Sequence, residues 1–349
     1  MGRRRGSCCT FEEASAEYEM MRLTLPFIAA IFLSSCVHPR SGATNEPSGA
    51  TSGATRDRRL DPASSLESRI GEPHDYVLKM LKDDEAATPT AHTLTPAEQR
   101  TFSSALAALP PLFRRILGER LRTVSFLDGM PNTALTTKVE PETPDKLFDI
   151  TIRVGVLHEN LSEFFTKKER TCFDTTGSPR SVSIEAGTLD AIFYVLLHEG
   201  THIIDGTFRA GPDGPPGEPP MHGLPVRSLI AEAWSGPRTF APQYRDPLLE
   251  RINFTPERIL PIAQAEAVYT ALRRTPFLSL YGTQGWGHDL TETVVWYYLS
   301  ERLKQPYRIV LRDDGKEVFV YEPMKSPLVR SRFAQMDRFY EDPNRARGS

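Results

Sequence analysis

Residues 198–202 read His-Glu-Gly-Thr-His. On a helix, His198 and His202 lie one turn apart on the same face, where both imidazoles can reach a single ion. Two neutral imidazoles suit Zn2+, and Glu199 between them points at the open coordination position, where it takes a proton from a bound water. Zinc lowers the pKa of that water to about 7, which makes hydroxide available at neutral pH. With 8 His in 349 residues, chance placement gives roughly 0.01 occurrences of such a motif. The competing reading is two surface histidines and a glutamate on an ordinary helix.

Zinc usually takes a third protein ligand. Gly at 205 and His at 208 would extend the motif, but the chain has Asp205 and Phe208, which excludes that arrangement. A third ligand from a later helix remains, and the downstream stretch dense in candidates is Tyr281 to Tyr298, with His288, Asp289 and Glu292. His288 and Glu292 share a helix face, so either can coordinate while the other supports it from behind. Asp289 is the third candidate. Asp205 either hydrogen-bonds a ligand imidazole or ends the helix before Gly206. His222, in a Pro-rich loop that begins at Gly211, reads as a surface histidine. Cys172 reads as a small core residue, and Trp296, Tyr297 and Tyr298 read as core aromatics.

With these residues the chain resembles the gluzincin metallopeptidases, most closely the anthrax lethal factor-like and Pro-Pro endopeptidase branch. There, HExxH is followed by Tyr-Gly, a ligand Glu seven residues after the Tyr, and a second Glu four later that orients a ligand His. This sequence keeps Tyr281-Gly282 and has Glu292 at the second carboxylate position, but His288 stands where the ligand Glu is expected. The resemblance covers about residues 185–300. It implies one Zn2+ per chain, held by His198, His202 and one of His288, Glu292 or Asp289. It further implies Glu199 as general base, Tyr281 placing its hydroxyl on the oxyanion of the tetrahedral intermediate, and a peptide or protein substrate.

The elements that must position these residues are legible in outline. Leu189, Ile192, Phe193 and Leu196 recur at helical spacing ahead of His198. Thr95-Pro96-Ala97-Glu98 is a capping box with Pro at the first helical position, followed by Phe102, Leu106 and Leu109. Pro110-Pro111 ends that helix and another follows from Leu112. Phe148, Ile150, Ile152, Val154 and Val156 alternate with polar residues, which predicts a strand with one buried face. Asp314-Gly315 between two apolar runs predicts a hairpin, and Phe333, Met336 and Phe339 a final helix. The expected fold is α+β, a mostly helical zincin-like domain with a small sheet and a C-terminal β-hairpin.

The N-terminal residues read as an address. An apolar run, Leu23 to Leu33, follows Arg22 and is too short to span a bilayer, which takes about 20 residues. Leu33-Ser34-Ser35-Cys36 resembles the bacterial lipobox, which implies a lipidated Cys36 (a palmitate-type acyl anchor) and a start at Met21. Val37 follows, without the Asp that retains such lipoproteins at the inner membrane. The expected location is therefore the bacterial cell envelope, at an outer membrane and facing the periplasm or the exterior. Residues 37–72 carry Ser-Gly-Ala-Thr three times and read as a flexible tether; residues 73–343 read as the folded body. A formal charge of −3 with no dense basic block gives no case for nucleic acid, and 4 Cys without regular spacing exclude a disulfide scaffold. The expected function is zinc-dependent peptide hydrolysis. The alternatives are an envelope lipoprotein with a structural zinc and a zinc amidase acting on cell-wall peptides.

Overall fold

The computed structural model describes residues 60, 64–82, 88–139, 146–208, 230–252, 254 and 259–341. Cys36, the apolar run before it and His222 lie outside them. Among the described residues no helix is long and apolar enough to cross a membrane.

The fold is α+β. Among the described residues its helices of eight residues or more are α1 (Asp75–Lys82), α2 (Pro96–Ala108), α3 (Pro111–Arg120), α4 (Leu161–Arg170), α5 (Ala191–Phe208), α6 (Ala265–Leu272), α7 (Trp286–Tyr297) and α8 (Phe333–Glu341). A four-stranded sheet has the order β1-β2-β4-β3, built from β1 (Thr90–Ala91), β2 (Leu121–Asp128), β3 (Ala134–Lys138) and β4 (Phe148–Arg153). Its inner pair β2–β4 is parallel and both outer pairs are antiparallel. A second sheet, β11-β10-β6, is antiparallel and joins β6 (Arg180–Glu185) to the hairpin of β10 (Arg308–Asp313) and β11 (Lys316–Tyr321). Two short pairs complete the sheets, β5 (Phe173–Asp174) with β9 (Leu260–Pro261) and β7 (Trp234–Gly236) with β8 (Thr239–Phe240).

Local chemistry sets several of these boundaries. Thr95 caps α2, its hydroxyl accepting from the Glu98 N–H while the Glu98 carboxylate accepts from the Thr95 N–H. At the hairpin tip Asp314 and Gly315 both have positive φ, 47° and 76°, as a two-residue turn matched to strand twist requires. The body begins earlier than residue 73. Glu67–Arg69 form a 3-10 turn, Ile70 bridges Val124, and the buried Arg69 guanidinium donates to the carbonyls of Leu117 and Leu121 at 3.0 and 2.6 Å.

Strand β4 differs from the expectation in two ways. It stops at Arg153, and Val154 and Val156 are buried from a 3-10 turn over Val154–His158. It is also buried on both faces, because it is an inner strand with its polar residues paired. Thr151 meets the Ser125 hydroxyl at 3.0 Å, and the Asp149 carboxylate accepts from Arg122.

One apolar cluster runs from Phe102 to Phe339, with α5 at its centre. Residues 191–204 of α5 are buried without exception, so the apolar residues ahead of His198 are part of a helix enclosed on all sides rather than a stripe. Two glycines permit this closeness. A Cβ at Gly200 would stand 2.7 Å from the Phe113 ring of α3, and one at Gly206 would stand 2.9 Å from the Phe148 ring of β4. The helix passes through Gly206 to Phe208, so Asp205 does not end it.

Candidate metal and catalytic site

The motif lies on α5 with its side chains buried. His198, Glu199 and His202 are 4%, 2% and 9% exposed. The two imidazoles are neighbours, with ring centroids 5.0 Å apart. Glu199 is held by β3, whose Thr136 hydroxyl donates to its Oε2 at 2.6 Å.

His198 is oriented by a relay. Tyr194, one turn earlier on α5, donates its hydroxyl proton to Glu292 Oε1. A phenol has one proton to give. The 3.1 Å contact between the Tyr194 oxygen and His198 Nδ1 therefore has Nδ1–H as donor. That places the proton on Nδ1 and leaves the Nε2 lone pair for another partner. The second oxygen of Glu292 accepts from the Ser279 hydroxyl at 2.6 Å, and Glu292 lies 4.0 Å from His198 Nδ1. Both Glu292 oxygens thus have hydroxyl partners, and the carboxylate stands behind His198.

His288 and Tyr281 approach from the other side. Tyr281 opens a 3-10 turn, Tyr281–Gln284, and its ring centroid lies 4.5 Å from that of His288 and 5.9 Å from that of His198. His288 is in the first turn of α7. Its neighbour Asp289 turns elsewhere, accepting from Arg332 at 2.9 and 2.7 Å and from the Trp234 indole at 2.9 Å. Those bonds take Asp289 out of the candidate donor set and anchor the start of α7, which fixes where His288 stands. Asp205 sits partly buried one turn beyond His202.

Burial first, and the nearby ionisable groups His202, Lys168 and His288 after it, hold the His198 pKa well below the ordinary imidazole value. Burial lowers His202 to about 4. Burial, with the charges of His202, Lys168 and Arg238, lowers His288 to about 3. All three imidazoles are neutral at physiological pH, the form that ligates metals. His202 Nε2 and His288 Nδ1 are buried without a hydrogen-bond partner among the described residues, and an orphaned buried acceptor is costly unless something binds it. This donor chemistry fits zinc. The geometry is adjacent rather than convergent: among the described residues no three His, Cys, Asp or Glu side chains are already drawn together around one point.

A cavity of about 20 Å³ opens beside the motif, lined among others by Thr133, Ala134, Lys168, His198, Glu199 and Tyr281. Lys168 was not among the residues expected from sequence, nor were Tyr194, Ser279 and Thr136. Tyr194 carried a signal, since it precedes His198 by one turn and must share its face. Trp296 and Tyr297 are core residues, with Trp296 stacked on Tyr307 at 3.9 Å, and Cys172 is a buried free thiol. The chain matches no protein-family model, no curated protein and no solved structure.

Proposed function

We propose that the protein is a zinc-dependent peptidase in which His198, His202 and His288 hold the metal and Glu199 is the general base. The observation that carries this reading is the His198/His202 pair on buried α5, with His198 and Glu199 lining a small cavity and with two buried imidazole nitrogens, His202 Nε2 and His288 Nδ1, lacking a hydrogen-bond partner among the described residues. A zinc ion, when bound, supplies Lewis acidity toward water and a carbonyl oxygen. Glu199, positioned by Thr136, takes a proton from water as the water oxygen bonds to the peptide carbonyl carbon. The same proton passes to the amide nitrogen as the C–N bond breaks, leaving an amine and a carboxylic acid that releases the second water proton to solvent. Tyr281 steadies the negative charge on the former carbonyl oxygen. Strand β3 is the last strand of its sheet among the described residues, and Ala134 at its start lines the cavity. An edge of this kind suits an extended peptide.

The structural-zinc alternative requires a closed set of four protein ligands. Glu292, the fourth ligand that reading would use, already accepts two hydroxyl hydrogen bonds, which favours an open position and hence catalysis. Lipidation of Cys36 and an envelope location belong to the same proposal on sequence grounds alone. Cell-wall peptides are then substrates within reach, and the amidase alternative differs only in the bond chosen.

The test is cleavage of a mixed peptide pool, read by mass spectrometry, for wild type and Glu199→Gln. The proposal expects cleavage that a chelator abolishes and zinc restores, and a loss of about 10²–10⁴-fold in Glu199→Gln with zinc retained. Equal activity in the two proteins would refute the role of Glu199.

A further inference from the structure

Helix α4 ends in a charged run, Lys167-Lys168-Glu169-Arg170, the composition of a solvated helix end. Lys168 does not follow that pattern. Its side chain folds inward and lines the same cavity as His198, Glu199 and Tyr281. Its ammonium sits 3.1 Å from the centroid of the Tyr281 ring, a cation–π contact. Among the described residues it makes no hydrogen bond or ion pair, although its three donors would satisfy several. The side chain is half-buried, and a partly desolvated ammonium with a ring but no acceptor against it is poised for an anionic or strongly polarised oxygen.

The cavity, of about 20 Å³, has room for a water-sized group, and a carbonyl oxygen is of that size. Resting on the peptidase reading above, we propose that Lys168 is a catalytic residue whose ammonium binds the carbonyl oxygen of the scissile peptide bond as negative charge develops on it, alongside Tyr281. Water oxygen bonds to carbon, the carbonyl π pair moves onto the oxygen facing Lys168, and the pair returns as the C–N bond breaks and the amine leaves with the proton carried by Glu199. No proton leaves Lys168. Burial pulls its amine down from the ordinary lysine value to about 8, against the opposite pull of the Glu292 and Glu169 charges.

The test compares the full chain with Lys168→Met and Lys168→Arg. Zinc content and melting temperature are measured first, then kcat and KM on the peptide that the wild type cleaves best. The last measurement is the dissociation constant of a phosphinic analogue of that peptide, which carries an anionic oxygen in place of the carbonyl. In Lys168→Met the proposal expects zinc content kept, a melting temperature equal or higher, KM within threefold and kcat lower by about 10²–10³-fold. The phosphinic analogue should weaken by a similar factor, and Lys168→Arg should recover part of both losses. A parallel rise in KM and the phosphinic dissociation constant would overturn the proposal, because it marks ground-state binding. So would unchanged kinetics, or zinc lost from Lys168→Met and Lys168→Arg alike. A wild type that takes up zinc but cleaves no peptide overturns the peptidase reading, and Lys168 with it. A wild type without zinc removes the metal site beneath both.

Discussion

The proton on His198 Nδ1 determines what Nε2 is free to do, and that proton is held by Tyr194, which is in turn held by Glu292. Partners of this kind behind a ligand histidine fix its tautomer and raise its basicity, and their loss costs about 10–100-fold in metal affinity. Glu292→Gln and Tyr194→Phe should each weaken zinc by that order in a chelator competition, while the doubly substituted protein should lose little more than either alone, since one chain of bonds serves one imidazole. Additive losses would mean that the two side chains act independently. The motif itself was legible because its spacing is periodic in sequence. Glu292 was legible only as one of a pair, since whether a carboxylate faces the ion or the back of an imidazole depends on Tyr194 and Ser279, the latter from a separate element. Lys168 was hidden by its neighbours: a run of charges reads as solvated whichever member turns inward.

Helix ends and turns were the most readable elements, because their chemistry is local. The α2 capping box and the Asp314-Gly315 hairpin follow from a few adjacent residues. The α2 start also carries a tertiary cluster that sequence did not disclose. Glu98 accepts from His158 Nε2 at 2.9 Å and meets His92 Nε2 at 3.1 Å, while His92 Nδ1 meets Asp128 at 2.8 Å. Burial pushes the Glu98 carboxyl up, but hydrogen bonds from Thr95, His92 and His158 outweigh it and bring it to about 2 from an ordinary 4.5. Hydrogen bonds to Asp128 and Glu98 raise His92 above its ordinary 6.5 against the opposing effect of burial. A lowered acid stabilises the fold fully above its unfolded pKa and loses that contribution as pH falls through the folded value; a raised base does the reverse. The melting-temperature gap between wild type and Glu98→Gln should therefore be widest between pH 4.5 and 6.5, shrink toward pH 2 as Glu98 takes a proton, and narrow again as pH rises through the raised His92 value. The gap for His92→Ala should be largest below pH 6.5 and shrink as pH rises through the raised value. Gaps that do not vary with pH would contradict the cluster's ionic character. Strand β4 was misjudged for a related reason: alternation predicts one wet face, but pairing on both sides buries Asp149 and Thr151 with partners far away in the chain.

Across the whole molecule, the C-terminal segment reaches back to the site. Arg332, just ahead of α8, binds Asp289 beside His288, and both are nearly inaccessible to solvent, at 4% and 0% exposed. Removing one partner of a buried pair leaves the other charge uncompensated, at a cost of about 3–5 kcal/mol. Arg332→Met should lower stability by that amount in denaturant unfolding and weaken zinc through the displaced His288; a neutral effect on both would detach the C-terminus from the site. This long-range tie, like the core that runs from Phe102 to Phe339 around α5, could not be read from sequence, because nothing in the spacing of residues 289 and 332 announces their contact. The account stands or falls on the metal. The most direct measurement is zinc content by elemental analysis of the purified chain beside His202→Ala and His288→Ala, each checked for folding by circular dichroism. It predicts one zinc per wild-type chain and loss of that zinc in both folded variants. A folded wild type without zinc, or zinc fully retained in His288→Ala, would contradict it.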